Sequence, residues 1–192
     1  MPAGQALHRY GAQPGDEVWV SGARGLARLA LGALRNEWAL PPELLRLMRK
    51  RLERPVPRLA LGPALRGIAS SAIDVSDGLL GDLRHILQAS GVGARINAAD
   101  VQKTAACGAQ GWQIAALAQD RLLAATLAGG DDYELLFTAA TSQRDAVLRA
   151  GAASDTPVSR IGCITGGTTL QLLAGDGSAM DARQYLGFDH FA

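Results

Sequence analysis

The segment AIDVSDGLLGDL, residues 72–83, constrains the fold more than any other stretch. Ile73 and Val75 alternate with Asp74, which is strand patterning over residues 71–75. Leu79, Leu83, Ile86 and Leu87 then recur at helical spacing, which predicts a helix over 78–90, and Gly91 stands where a glycine cap ends one. A strand passing through a Ser-Asp-Gly corner into an amphipathic helix needs a sheet on which that helix can lie. The corner also carries more acid than structure requires: Asp74, Asp77 and Asp82.

The remaining chain supplies the sheet. EVWVS, residues 17–21, alternates polar and apolar residues and predicts a short strand. Leucines at helical spacing predict a helix over 24–36. PPELLRLMRKRLE opens with prolines, has Glu43 in its first turn and gathers cations near its end, the charge order that suits a helix dipole. A short helix is expected over 59–68, a strand over 92–97, an irregular polar stretch over 98–111 and a helical run over 112–127. In GGDDYELLFTAA a glycine turn leads into a strand with Tyr133, Leu135 and Phe137 on one face. A helix follows over 142–150. VSRIGCIT and TTLQLLA then read as two strands joined by Gly166-Gly167, a hairpin signal. The expected class is α+β, a mixed sheet layered with helices, as one domain over residues 1–192.

Composition narrows function. A hydrophobic fraction of 48% with 5% aromatic residues supports a core of small and aliphatic side chains. A net charge of +1 gives no reason to expect nucleic acid or an anionic membrane as partner. No run of about 18 apolar residues occurs, and the N-terminus lacks a signal-type apolar core. Cys107 and Cys163 lie far apart, which fits a reducing cytoplasm better than a disulfide framework or a zinc site. No phosphate loop of GxxxxGK[ST] type is present.

Two readings of the acidic corner stand side by side. Ser76 or Asp77 caps the helix at Gly78 and Asp82 is a solvated charge. Alternatively, Asp74 and Asp77 converge at the strand–helix junction, where a cation must relieve their repulsion and the helix N-terminus favours phosphate oxygens. Magnesium takes one or two carboxylates plus water and phosphate, so the second reading is a magnesium–phosphate site. GGDDYEL divides likewise: Asp131 and Asp132 are turn residues, or the glycines let a ligand approach closely and Asp131 accepts hydrogen bonds from a polar heterocycle or holds another metal. His8, His85 and His190 are too scattered for a triad or a metal cluster.

AIDVSDGLLGDLRHILQASGVGARI followed by LAGGDDYELLFT resembles the C-terminal half of the bacterial thiamine-monophosphate kinases. PGDEVWVSGARGLARLALGAL resembles the opening of that half and GFDHF its end, so the likeness runs from about Gly11 to Phe191. The superfamily includes aminoimidazole-ribonucleotide synthetase, whose C-terminal domain has the expected fold. The resemblance implies ATP-dependent phosphorylation of thiamine monophosphate to thiamine diphosphate, a kinase of thiamine diphosphate biosynthesis with Mg²⁺ as cofactor. It implies Asp74 and Asp77 as metal ligands, Ser76 against ATP, Asp131 against substrate and Phe188 packed on the thiamine ring, a cation-bearing ring suited to an aromatic face. No catalytic base is implied, because the attacking phosphate oxygen is already anionic. Three departures follow. The family's N-terminal ATP- and metal-binding domain has no counterpart here, so this chain alone is expected to be inactive. Asp131 stands where the family often has Glu, and Leu26 where it usually has Asp. The alternatives are a related ATP-dependent synthetase half and a non-enzymatic remnant that binds or dimerises. The family dimerises mainly through the N-terminal domain, so this half is a monomer or a homodimer through exposed apolar surface.

Overall fold

The computed structural model describes residues 6–106 and 111–185. In chain order its elements are β1 (Glu17–Ser21), α1 (Leu26–Leu34), α2 (Pro42–Glu53), α3 (Leu61–Ala64), β2 (Ala69–Val75), α4 (Leu79–Ser90), β3 (Gly93–Asn97), α5 (Ala98–Thr104), α6 (Gly111–Ala115), α7 (Gln119–Ala128), β4 (Glu134–Ala139), α8 (Arg144–Ala153), β5 (Val158–Thr165), β6 (Leu170–Leu173) and β7 (Ala179–Met180). Short 3₁₀ turns precede α8 and follow β7.

The strands form one mixed sheet in the order β2-β4-β1-β5-β3-β6-β7. All neighbours run antiparallel except β3 and β6, which are parallel. Strand alternation then assigns each face. Val18, Val20, Ile73, Val75, Leu136 and Ile96 meet α4, α5 and α7 on one side. Trp19, Phe137 and Ala139 meet α3 and α8 on the other. A third apolar cluster, off the sheet, joins α1, α2 and α7 through Leu29, Met48 and Leu122. This is the α+β architecture expected from the sequence. No described helix is long and apolar enough to cross a membrane.

α4 forms as its pattern requires: Leu79, Leu83, Ile86 and Leu87 are buried, and Gly91 ends the helix in the left-handed region at φ 66°. Four expectations need correction. The stretch 98–111 is not irregular throughout, because α5 occupies its first half. Asn97 caps it, its side-chain oxygen accepting the Asp100 N–H at 3.1 Å, and Ala98 and Val101 face the core. The helical run over 112–127 is broken, since Ala118 is extended between α6 and α7. The helix expected over 59–68 is only the single turn of α3. Finally, β5 and β6 do not form a hairpin, because β3 lies between them, antiparallel to β5 and parallel to β6. The glycine turn spans one intervening strand, and Gly93 lies so close to the Thr169 carbonyl that a Cβ there would be 2.6 Å away.

Candidate functional site

Antiparallel pairing of β4 with both β1 and β2 brings three chain segments to one end of the sheet. Val75 lies opposite Glu134 and Val20 opposite Leu136, so the carboxyl ends of β1 and β2 flank the amino end of β4. The loops 22–25, 76–78 and 129–133 therefore meet. The last two interlock by backbone. The Asp131 N–H donates to the Ser76 carbonyl at 3.0 Å and the Tyr133 N–H to the Val75 carbonyl at 3.1 Å. At Gly130 a Cβ would stand 2.3 Å from that same Ser76 carbonyl oxygen, and at Gly78, with φ 131°, it would stand 2.8 Å from the Ala128 carbonyl oxygen. The two acidic motifs are thus halves of one surface.

The acids divide into buried and exposed sets. Asp82 is 3% exposed, and its carboxylate reaches back to accept the N–H groups of Ser76 at 3.0 Å and Asp77 at 3.2 Å. It is not a solvated charge, and neither Ser76 nor Asp77 caps α4 by side chain. Instead Asp82 ties down the corner. Burial pushes its carboxyl up from the ordinary value, against the pull of the Asp77 and Ser76 amides. Asp74 and Asp77 are exposed on the same corner and Ser76 is half-buried.

The side chain of Asp132 is buried, so it is not a plain turn residue. It lies 3.2 Å from the guanidinium of Arg24, whose side chain is fully buried, and it accepts the Gly25 N–H at 2.6 Å and the Ala27 N–H at 3.3 Å. Arg24 also donates to the Gly129 carbonyl at 3.2 Å. Burial pushes the Asp132 carboxyl up, and the Arg24 charge and the two amides oppose it. Loop 22–25 thus grips loop 129–133 with backbone amides. Leu26 plays no polar part there, since it begins α1 buried in the helical cluster.

Glu134, also buried, is held by both arms of Arg58, with Nε to Oε2 at 2.6 Å, and accepts the Ser21 hydroxyl at 2.5 Å. Between these anchors the exposed residues are strained. Asp131 has φ 64° and Tyr133 has φ 51°, a region that non-glycine residues rarely occupy. Tyr133 is 43% exposed and stands outside β4, so it does not share a strand face with Leu135 and Phe137.

Of the residues singled out from the sequence, Ser76 and Asp131 are joined by a backbone hydrogen bond, Asp77 follows Ser76 and Asp74 lies at the end of β2, while Phe188 lies outside the described residues. Sequence reasoning missed Arg24, Arg58, Asp132 and Glu134 as the frame. Arg24, Asp132 and Glu134 stand beside or close to glycines or acids in the sequence, a weak one-dimensional signal, and Arg58 has none. Among the described residues no group of three or more His, Cys, Asp or Glu could hold a metal ion. Asp74 and Asp77 offer two hard oxygen donors without sulfur or imidazole. That donor set fits Mg²⁺, which fills its remaining positions with water and phosphate oxygens.

Residues 13–174 match the family described as AIR synthase related protein, C-terminal domain. The chain is 37% identical over 193 residues to the thiamine-monophosphate kinase of Salmonella typhimurium, covering 100% of this chain and 57% of that protein. Among solved structures, thiamine-monophosphate kinase from Stenotrophomonas maltophilia K279a matches with a TM-score of 0.79 at 40% identity, over 94% of this chain and 56% of that one. A structure of AaThiL complexed with AMPPCP and TMP matches with a TM-score of 0.74 at 26% identity, over 96% of this chain and 54% of that one. The chain spans about half the length of the relatives it matches.

Proposed function

This chain belongs to the AIR synthase related family, matching its C-terminal domain, and on that premise we propose that it is the C-terminal part of a thiamine-monophosphate kinase. The reaction would be the ATP- and Mg²⁺-dependent phosphorylation of thiamine monophosphate to thiamine diphosphate, in the cytoplasm. The observation that supports this reading is the backbone interlock of loops 76–78 and 129–133, which carry the exposed Asp77 and Asp131, with the exposed Asp74 just before the first of them.

In this reading Asp74 and Asp77 hold Mg²⁺, and Ser76 meets the phosphates of ATP. Asp131 contacts thiamine monophosphate and Phe188 packs on its ring. Bound there, magnesium neutralises phosphate charge. The protein's own part is positioning. Asp82 fixes the corner bearing Ser76 and Asp77, while the Arg24–Asp132 pair and Arg58–Glu134 hold the loop bearing Asp131. The attacking phosphate oxygen is already anionic, so no residue acts as general base. A companion N-terminal domain supplies further acidic ligands, and the part described here has little activity by itself.

The test is thiamine diphosphate formation from thiamine monophosphate, ATP and Mg²⁺, with the chain alone and with the N-terminal half of a relative added. We expect activity only in the reconstituted protein and its loss in Asp77→Asn without a change in folding. A reconstituted, folded complex that makes no product would refute the reading.

A further inference from the structure

A concave site lies between α2, the segment 54–60 and the turn after α8. It is a cleft of about 860 Å³. That volume suits a small-molecule ligand. Five cations line it, Arg46, Lys50, Arg51, Arg54 and Arg58, against two carboxylates, Glu43 and Asp155. Two of the cations are spoken for: Arg46 pairs with Glu43, and Arg58 with Glu134. Among the described residues, Lys50, Arg51 and Arg54 have no carboxylate within 4 Å.

Helical spacing explains how these charges come to share a cleft. α2 buries Leu44 and Met48, which leaves positions 43, 46, 47, 50, 51 and 54 on an adjoining stripe. The helix dipole accounts for Lys50 and Arg51 in the last turn. It does not account for Arg54, beyond the helix, turned into the same cleft. Like charges brought together in excess of their counter-charges repel, and a bound anion relieves that repulsion. Part of the opposite wall is apolar and open to solvent, with Val56 51% and Leu59 80% exposed, and the polar Ser154, Asp155 and Thr156 complete it.

We propose that this cleft binds a diphosphate or longer phosphate chain, its oxygens on Lys50, Arg51 and Arg54. The ligand is inorganic pyrophosphate or a nucleoside diphosphate, whose base would lie along Val56 and Leu59. Binding needs no divalent cation, in contrast to the carboxylate corner, so the two sites are separable. Arg58 belongs to both surroundings: it lines the cleft and holds Glu134 beside the loop that carries Asp131.

The test is calorimetric titration of the full chain with pyrophosphate and, separately, with ADP, both in EDTA. One site per chain is expected, weakening as salt is raised because Lys50 and Arg54 are exposed and Arg51 is partly so. The triple variant K50Q/R51Q/R54Q should lose about tenfold or more in affinity, since charge-assisted contacts are lost. Its thermal midpoint should stay within about 2 °C, because surface changes of this kind seldom cost stability. D74N/D77N should bind both probes as the parent does, which keeps the result independent of the kinase reading. Tighter binding of ADP, abolished by Leu59→Ser, identifies the nucleotide as the source, and equal affinities identify the bare diphosphate. A parent chain that binds neither probe, or a triple variant that binds as well as the parent, overturns the proposal.

Discussion

Asp82 accepts two amide protons from the corner that precedes it while sitting almost wholly out of water. Its alanine variant would leave the Ser76 and Asp77 N–H groups unmatched, so Asp82→Ala should cost about 1–3 kcal/mol in urea unfolding. The carboxyl also carries a pH signature. It titrates near 3.8 when unfolded and higher when folded, because burial disfavours the charge. Between those two values the native state binds more protons. Its contribution to stability therefore falls as pH rises through that window, and the full cost is present above it. Asp82→Asn keeps an acceptor oxygen and removes the titration. The stability difference between this variant and the parent should be constant above the folded pKa and should shift in the parent's favour as pH falls towards 3.8. A difference that stays flat down to that pH would refute the buried-carboxylate account. Asp132→Ala should be more severe, about 3–5 kcal/mol, because it strands the fully buried Arg24 charge.

At the level of elements, two loops are joined by main chain and leave no room at Gly130, where an added Cβ meets a carbonyl rather than a movable side chain. Gly130→Ala must push loop 129–133 away from loop 76–78. We expect a loss of about 1–3 kcal/mol, as for other overpacked sites. Protection of Asp131 and Tyr133 amides from hydrogen exchange should fall with it; unchanged protection would mean that the loops are not coupled. α5 offers a simpler case. Its start depends on the Asn97 side chain, so Asn97→Ala should lower unfolding free energy by about 1 kcal/mol and leave the carboxylate corner unaltered.

Across the molecule, the sheet places its carboxylate corner at an edge. β2 has β4 on one side only, and on the other the His8 carbonyl accepts the Ala72 N–H at 2.8 Å. Loops at the end of an edge strand can open without breaking the centre. Native-state hydrogen exchange should reflect this gradient. Amides of Val20 and Leu136, in central strands with 0% exposed side chains, should exchange only on global unfolding. Those of the two-residue β7 should exchange by local opening well before. Uniform protection across the sheet would contradict it.

Local order was readable in the residues themselves. The strand ASSAIDV, the helix after it and its glycine stop follow from periodicity and from the conformational freedom of Gly91, which act within a few positions. Asp74, Ser76, Asp77 and Asp131 were singled out from the acidic corner, the glycine turn and the family resemblance rather than from periodicity. Where pattern was weak, as in the Ala-rich α5, the helix went unseen. The tertiary structure alone decided which acids are buried and which are offered to solvent. Asp82 and Asp132 look like their neighbours in sequence, yet each is matched to donors that chain folding brings near, and Arg24 is remote from Asp132 in the chain. It also decided that β3 separates β5 from β6. A glycine turn specifies only a reversal of direction, whereas strand order is chosen by which apolar faces can be buried together.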